Sequence, residues 1–177
     1  MSNRRQAGVS LLESENGELR RAEQLLRQAV NVNHDHVEAH LRLGQVLGQH
    51  GRPADALVEL RQVETTTQEP LLLYYAALFI GREEGSLNNV SAARAAYQRA
   101  AALFPRAQSP YIGLSELEMR SGNRPGAAQA LEAVWQWGTS RQDEDDPWPS
   151  YPYAAGRSGE SQLNALAKAF PPLPATP

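Results

Sequence analysis

Residues 37–70 read VEAHLRLGQVLGQHGRPADALVELRQVETTTQEP, and this stretch decides the fold. Apolar residues recur at helical spacing on both sides of Gly51. Gly51 supplies the backbone freedom that ends one helix, and Pro53 fits the first turn of the next because the N–H that proline lacks has no partner there. The stretch therefore predicts two helices joined by a tight turn. The apolar residues are Leu41, Leu43, Val46 and Leu47 before the turn, and Ala56, Leu57, Leu60 and Val63 after it.

The same arrangement recurs along the chain. Gly17, Gly51 and Gly85 are spaced by 34 residues, and Gly122 follows 37 residues after Gly85. Self-similarity at this period is typical of an array of helical repeats. We expect four paired-helix segments, with the three additional residues in the turn around 86–89. The segments are 3–36, 37–70, 71–107 and 108–141.

The second segment resembles the tetratricopeptide repeat (TPR) family, a pattern carried by His40, Leu43, Gly44, Leu47, Ala56, Leu60, Val63 and Pro70. The resemblance implies an all-α, right-handed solenoid of antiparallel helix pairs over residues 1–141. It also implies a scaffold that binds another protein or a peptide and is not an enzyme. The third segment has Leu78 where the pattern calls for a small residue. We therefore expect its first helix to pack at a different angle, or its register to be shifted by one residue.

The resemblance further implies where a partner would bind. In this family the first helix of each pair lines a concave groove. Tyr75 and Phe79 lie one helical turn apart, so the centre of the groove should be aromatic and suit a peptide with one or two apolar anchors. The alternative is that these two rings belong to the core. Transferred by position, the groove residues are Leu11, Leu41, Gln45, Tyr75, Phe79, Arg82, Ile112, Glu116 and Arg120.

Residues 142–177 differ in composition from the repeats and form a separate closing segment. The acidic run 143–146 is interpreted as a solvated linker, and the three prolines of 147–153 exclude a helix and favour an extended chain. A last helix is predicted over about 159–170, followed by a frayed tail.

A solenoid needs its last apolar face covered. We therefore expect the last helix, or the aromatic segment 147–153, to cap the array near Trp135 and Trp137. The alternative is that Trp148, Tyr151 and Tyr153 occupy the groove as an internal ligand.

Composition and motifs argue against several functional classes. The formal charge of −3 and a pI near 5.8 provide no broad basic field for nucleic acid. The chain has no cysteine, so it has no thiol nucleophile or thiolate metal site. The cluster of His34, Asp35, His36 and His40 is better explained by a helix start, with Asp35 as its N-cap, than by a metal site. We find no phosphate loop or hydrolase motif, and expect no cofactor and no catalysis.

The sequence leaves the setting of the protein open. No window has the length and apolarity of a membrane span or a signal peptide. We expect no membrane span and a cytoplasmic location, with export or membership of a larger protein as alternatives. The adaptor hypothesis competes with a structural assembly module that self-associates as a homo-oligomer or forms part of a longer solenoid.

Overall fold

Helices make up most of the described chain. The computed structural model describes residues 3–136 and 146–151, with side-chain environments for residue 17, 19–135, 146–149 and 151. These residues contain no strand, and the predicted all-α fold is confirmed. The helices are α1 (Asn3–Val32), α2 (Val37–Gln49), α3 (Pro53–Thr66), α4 (Pro70–Ser86), α5 (Val90–Leu103), α6 (Ser109–Arg120) and α7 (Arg124–Gln136), followed by a 3₁₀ turn at Trp148–Ser150.

Consecutive helices pack in pairs. Helix α2 packs on α3, α4 on α5, and α6 on α7, and α4 also contacts α2 and α6. The connections within the pairs are three residues long, which makes the two helices of a pair antiparallel neighbours. The first helices of successive pairs therefore lie side by side along one face of the array.

The three short turns share one backbone geometry. Gly51, Asn88 and Gly122 have positive φ angles of 69°, 62° and 82°. In each turn, the N–H of the residue after the positive-φ residue donates to the carbonyl five residues before it, over 2.8–3.0 Å, as in a Schellman helix end. Asn88, and not Gly85, is therefore the counterpart of Gly51. The prediction that three extra residues enlarge the turn at 86–89 is wrong.

The extra residues lengthen α4 at its N-terminus. Helix α4 has 17 residues, while α2 has 13 and α6 has 12. All three helices end two residues before the positive-φ residue of their turns, so residues 70–73 project beyond the starts of α2 and α6. The added length is one helical turn.

The register of α4 follows from this extension. A Cβ atom on Gly44 would lie 2.6 Å from Cγ of Leu60, and one on Gly81 would lie 2.7 Å from Cε1 of Tyr97. Gly81 follows Gly44 by 37 residues, as Tyr97 follows Leu60. Gly81 is thus the small residue that allows close packing, and the register is shifted by three residues, not by one. Leu78 faces the groove instead.

The first predicted repeat differs from the others because α1 runs through Gly17 without a turn. A Cβ atom on Gly17 would meet nothing within 4 Å, so no partner helix closes on it there. The residues after Gly17 are good helix formers and include no proline, so the helix tolerates one glycine at a cost of about 1 kcal/mol. The expected hairpin within 3–36 is therefore a single helix.

The second half of α1 is tied to the next pair through Glu23. Its carboxylate lies 2.9 Å from Nδ1 of His50 and 2.8 Å from Nη1 of Arg52, in the turn between α2 and α3. Partial burial alone would raise the pKa of Glu23, but hydrogen bonds from Arg27 and His50 and the charge of Arg52 lower it overall. Glu23 thus fixes α1 against the array as an ionised carboxylate.

Alanines occupy the crossing points of the second helices. Ala56, Ala93 and Ala127 are each fully buried, as their small size predicts. The main core cluster extends from Leu41 to Leu117, and it also includes Tyr151 from beyond α7. Within the described residues, no helix combines the length and the apolarity that crossing a membrane requires.

Candidate peptide-binding groove

A short segment of the C-terminal region lies on α4 and α6. We call residues 146–151, DPWPSY, the strap. Its 3₁₀ turn is closed by the N–H of Tyr151, which donates to the carbonyl of Trp148 over 3.0 Å. A 3₁₀ turn aligns side chains three residues apart, so the Trp148 and Tyr151 rings stack with 10° between their planes. The prediction of an extended chain is wrong over these residues.

The strap packs its two rings on the aromatic centre of the predicted groove. Tyr151 lies 4.5 Å from Tyr75 and 5.6 Å from Phe79, and Trp148 lies 5.4 Å from Phe79, between ring centroids. Tilted and edge-on contacts of this kind are favourable beyond the area that they bury. The internal-ligand alternative therefore describes Trp148 and Tyr151, while Trp135 remains 44% exposed. Trp137, Tyr153 and the predicted last helix lie outside the described residues.

Asp146 anchors the other end of the strap. Its Oδ1 accepts from the Tyr74 hydroxyl at 2.6 Å and from the Trp148 N–H at 3.0 Å. Its Oδ2 accepts from the backbone N–H of Ser109 at 2.8 Å and from its hydroxyl at 2.7 Å. Ser109 opens α6, where the helix dipole favours a negative charge. The carboxylate is 5% exposed, so the expectation of a solvated acidic run is wrong for Asp146. Residues 143–145 lie outside the described chain.

Two consecutive tyrosines of α4 hold two consecutive residues of the strap. The Tyr75 hydroxyl donates to the carbonyl of Pro147 over 2.8 Å, next to the bond between Tyr74 and Asp146. Burial, together with the nearby Asp146 carboxylate, raises the pKa of Tyr74 far above its usual range. Tyr74 therefore remains protonated and donates at neutral pH. Both tyrosines follow the extra first turn of α4, which places them within the helix and not at its end.

The groove continues past Trp148 as an open pocket of about 130 Å³. The guanidinium of Arg82 lies 5.1 Å from the Phe79 ring centroid, within cation–π range. Its Nε donates to Glu83 over 2.7 Å. The pocket thus has an apolar floor and a charged rim. Its lining residues are Leu78, Phe79, Arg82, Tyr97, Ser109, Ile112, Gly113, Glu116 and Trp148.

Over residues 10–65 and 80–147, the sequence matches the tetratricopeptide repeat family. The chain belongs to the tetratricopeptide repeat family. The TPR match extends to Pro147, inside the strap. A comparison with curated proteins gives no match.

Solved structures with a similar TPR fold include those of MamA and PilW. One described as the crystal structure of MamA is 19% identical, with a TM-score of 0.63, covering 89% of this chain and 81% of that chain. MamA 41-end from Desulfovibrio magneticus RS-1 is 21% identical, with a TM-score of 0.63 and coverages of 76% and 75%. PilW, described as a type IV pilus biogenesis factor, is 21% identical, with a TM-score of 0.61 and coverages of 82% and 67%. At these identities the similarity establishes the fold alone.

The structure brings some of the TPR-derived groove residues together. Tyr75 and Phe79 contact the strap, and Phe79, Arg82, Ile112 and Glu116 line the pocket. Tyr75 and Phe79 are 5% and 1% exposed, and part of their cover is the strap itself.

The other predicted groove residues lie apart from this cluster. Leu41 and Gln45 are buried within the array. Arg120 is exposed near the end of α6, and its Nη2 would lie 2.9 Å from a Cβ atom on Gly85. The side chain of Leu11 lies outside the described residues.

The histidine cluster serves the start of α2. His36, and not Asp35, is the N-cap, and its Nδ1 accepts from the N–H of Ala39 at 3.4 Å. His40 lies 2.7 Å from the carboxylate of Glu59 and 2.8 Å from the carbonyl of His34. In the described part of the chain, no group of three histidine or acidic side chains is arranged to hold a metal ion.

Asp146 and Tyr74 are groove residues that the sequence did not predict. Asp146 closes an acidic run, so composition alone suggested solvent exposure. Its position directly before Pro147 and Trp148 is the local signal that separates it from its neighbours. Tyr74 was missed because its role depends on the extra turn of α4.

Proposed function

We propose that this protein is a peptide-binding TPR scaffold whose binding surface is the groove between α4 and α6. One observation carries the proposal: the strap, a six-residue peptide segment, is held there by side-chain and backbone contacts. A surface that holds one peptide with anchored rings and a paired carboxylate has the features that peptide recognition requires.

The aromatic floor and the neutral donors supply different parts of recognition. Tyr75 and Phe79 offer a rigid apolar surface that loses little conformational entropy on binding. Tyr74 and Ser109 fix the position of an acidic group, because buried donors that are left unpaired are costly. Such a groove binds and orients a peptide, and nothing in this arrangement activates a nucleophile.

The test uses a full-length open variant, Trp148→Ala/Tyr151→Ala, in which the strap loses both of its aromatic anchors. Displayed random peptides are selected on this variant, and their affinities are measured by fluorescence polarisation. We expect selected peptides to lose at least tenfold in affinity when Arg82→Glu reverses the charge at the pocket rim.

The matched control is Val58→Glu, since Val58 is 67% exposed on α3 and lies outside the groove. It should leave the affinities unchanged. Peptides that bind the Arg82→Glu variant as tightly as the Val58→Glu variant would contradict a site in the groove. So would an open variant that folds, by circular dichroism, but selects no peptide.

A further inference from the structure

The strap and the groove match each other in three separate features. A carboxylate accepts three hydrogen bonds from the groove, an indole makes an edge-to-face contact with Phe79, and a phenol ring lies against Tyr75. These features come from Asp146, Trp148 and Tyr151. Pro147 and Pro149 have no side-chain donor or acceptor, and the side chain of Ser150 lies outside the described residues.

We propose that the groove takes a peptide with the pattern Asp-x-Trp-x-x-Tyr from another protein, and that the strap is the intramolecular competitor of this peptide. The inference rests on the proposed function and names both the ligand class and its regulation.

The acidic position is the most selective of the three. The cradle for Asp146 consists of the Tyr74 hydroxyl, the Ser109 hydroxyl and the Ser109 N–H, and within the described residues no positive side chain pairs with it. Tyr74 is fully buried, so a ligand without an acceptor at this position leaves its hydroxyl unpaired. A neutral apolar residue in place of the aspartate is therefore rejected.

The spacing of the pattern comes from the 3₁₀ turn. Tyr151 follows Trp148 by three positions, and this is the one spacing that a 3₁₀ turn brings onto the same side. A proline on each side of the tryptophan limits the unbound conformations of the strap, which lowers the entropy lost on binding. A partner peptide gains in the same way from prolines at these positions.

The strap competes with an advantage because it is part of the same chain. A tethered segment reaches an effective concentration on the order of 1 mM. Suppose that the strap and a free peptide each have an intrinsic Kd of about 100 μM for the groove. The free peptide would then bind the intact protein about tenfold more weakly than it binds an empty groove. A partner of higher affinity, or one that presents several copies of the pattern, displaces the strap.

The pocket beside Trp148 gives a partner a means to outbind the strap. It remains open while the strap is bound, and it is lined by Ile112 and Gly113 with Arg82 and Glu116 at its rim. A partner peptide that carries a further side chain into this pocket makes contacts that the strap does not.

The experiment measures binding of a labelled peptide of residues 143–153, DEDDPWPSYPY, to the full-length protein. The open variant Trp148→Ala/Tyr151→Ala should bind it at least tenfold more tightly than the unmodified protein does. Peptides with Asp146→Asn or Trp148→Ala should each lose at least tenfold in affinity for the open variant. Equal binding by the two proteins, or indifference to the peptide changes, would overturn the inference.

A second protein variant covers the case in which the open variant does not fold. Asp146→Asn in the full-length protein keeps both rings of the strap and weakens its anchor. It should raise the affinity for the labelled peptide severalfold, and no rise would overturn the inference.

The outcomes separate this inference from the proposed function. Groove-dependent peptides that lack the pattern would leave the proposed function standing and overturn the inference. No groove-dependent peptide of any kind would remove both. A concentration-dependent dimer of the unmodified protein, seen by light scattering and lost in the open variant, would identify a second copy as the occupant and also overturn the inference.

Discussion

Tyr97 fills space that two glycines leave open. A Cβ atom on Gly81 would lie 2.7 Å from Cε1 of Tyr97, and one on Gly113 would lie 2.5 Å from the same atom. The ring therefore wedges between α4 and α6 from its position on α5. This packing sets the distance between the two groove helices.

Gly81→Ala should destabilise the protein, because the buried ring has no room to move aside. We expect a loss of about 1–3 kcal/mol in the free energy of unfolding, measured by urea denaturation. The control is Gly17→Ala in α1, where a Cβ atom meets nothing within 4 Å and alanine should stabilise by about 0.5–1 kcal/mol. Equal effects of the two substitutions would contradict the packing described for Tyr97.

The Tyr97 hydroxyl also makes the free energy of unfolding depend on pH in the alkaline range. Burial, with the nearby charge of Glu116, raises the pKa of Tyr97 to about 12. Because the folded state favours the neutral phenol, the stabilisation is complete below the unfolded-state pKa of about 10 and is lost as the pH rises from there toward 12. The melting temperature should fall over this window. Tyr97→Phe should flatten part of the decline, and an unchanged pH profile would show that another group is responsible.

At the residue scale, sequence reasoning relied on a side chain's chemistry and its helix face, and the binding role of the groove residues stays a prediction. The family pattern predicted Tyr75 and Phe79 as the aromatic centre of the groove, and the strap covers both. It could not predict Asp146, because a carboxylate at the end of an acidic run is ordinarily solvated. Its burial depends on donors from Tyr74 and Ser109, which are 72 and 37 residues away in sequence.

At the scale of elements, the turn between α4 and α5 differs from its counterparts in one residue. Gly51 and Gly122 hold positive φ angles in their turns, and Asn88 holds the same conformation at 62°. Asparagine adopts this region more readily than most residues, but glycine does so without steric cost. The turn is thus slightly strained by comparison with the other two.

Asn88→Gly should therefore stabilise the protein by about 0.5 kcal/mol, after the greater flexibility of glycine in the unfolded chain is taken into account. Asn88→Ala, with the same loss of the side-chain amide, should destabilise by about 1 kcal/mol. Urea midpoints of the three proteins test the order. If alanine were the most stable of the three, the positive φ angle would be wrong.

A hydrogen bond between an asparagine and a glutamate recurs at two of these turns, and the family pattern did not predict it. Asn89 donates to the carboxylate of Glu84 over 2.8 Å, and Asn123 donates to Glu118 over 2.7 Å. A hydrogen bond from Arg94 lowers the pKa of Glu118, so this buried carboxylate is ionised at neutral pH. The sequence showed the spacing of these residues but not that the acidic side chains point inward.

At the scale of the whole molecule, the described helices form a linear array in which each pair stabilises its neighbours. The strap adds one contact outside this order, because Asp146 joins Tyr74 of α4 to Ser109 of α6. It therefore acts as a clamp between the α4/α5 pair and the α6/α7 pair. Its hydrogen bonds and ring contacts described above join it to α4 and α6.

Trp148→Ala should accelerate hydrogen exchange in α4 and α6 while leaving α2 and α3 unchanged. The expected pattern follows from nearest-neighbour coupling, which confines the loss to the elements that the strap contacts. Mass spectrometry of peptic fragments gives the required resolution. The control Val58→Ala changes an exposed residue of α3 and should alter exchange nowhere in the groove. Uniform acceleration along the chain would mean that the strap stabilises the fold as one cooperative unit.

Repeat periodicity predicted the architecture because it depends on many residues at once, and single errors do not disturb it. It failed at Gly17 and at 86–89, where one residue decides between a helix and a turn. The glycine at 85 suggested a helix end by analogy with Gly51. In the folded chain, Asn88 ends α4 and Gly85 lies within it, because contacts with α5 fix the register of the whole helix.

The additional turn lengthens α4 but changes little the direction in which its side chains face. Three residues advance a helix by slightly less than one full rotation, so side chains on both sides of the addition keep nearly the same facing. A chain can therefore gain a projecting helical turn ahead of Tyr74 and Tyr75 without repacking the crossing at Gly81. Removing three residues from 70–73 would return the array to a uniform period and remove this projecting turn.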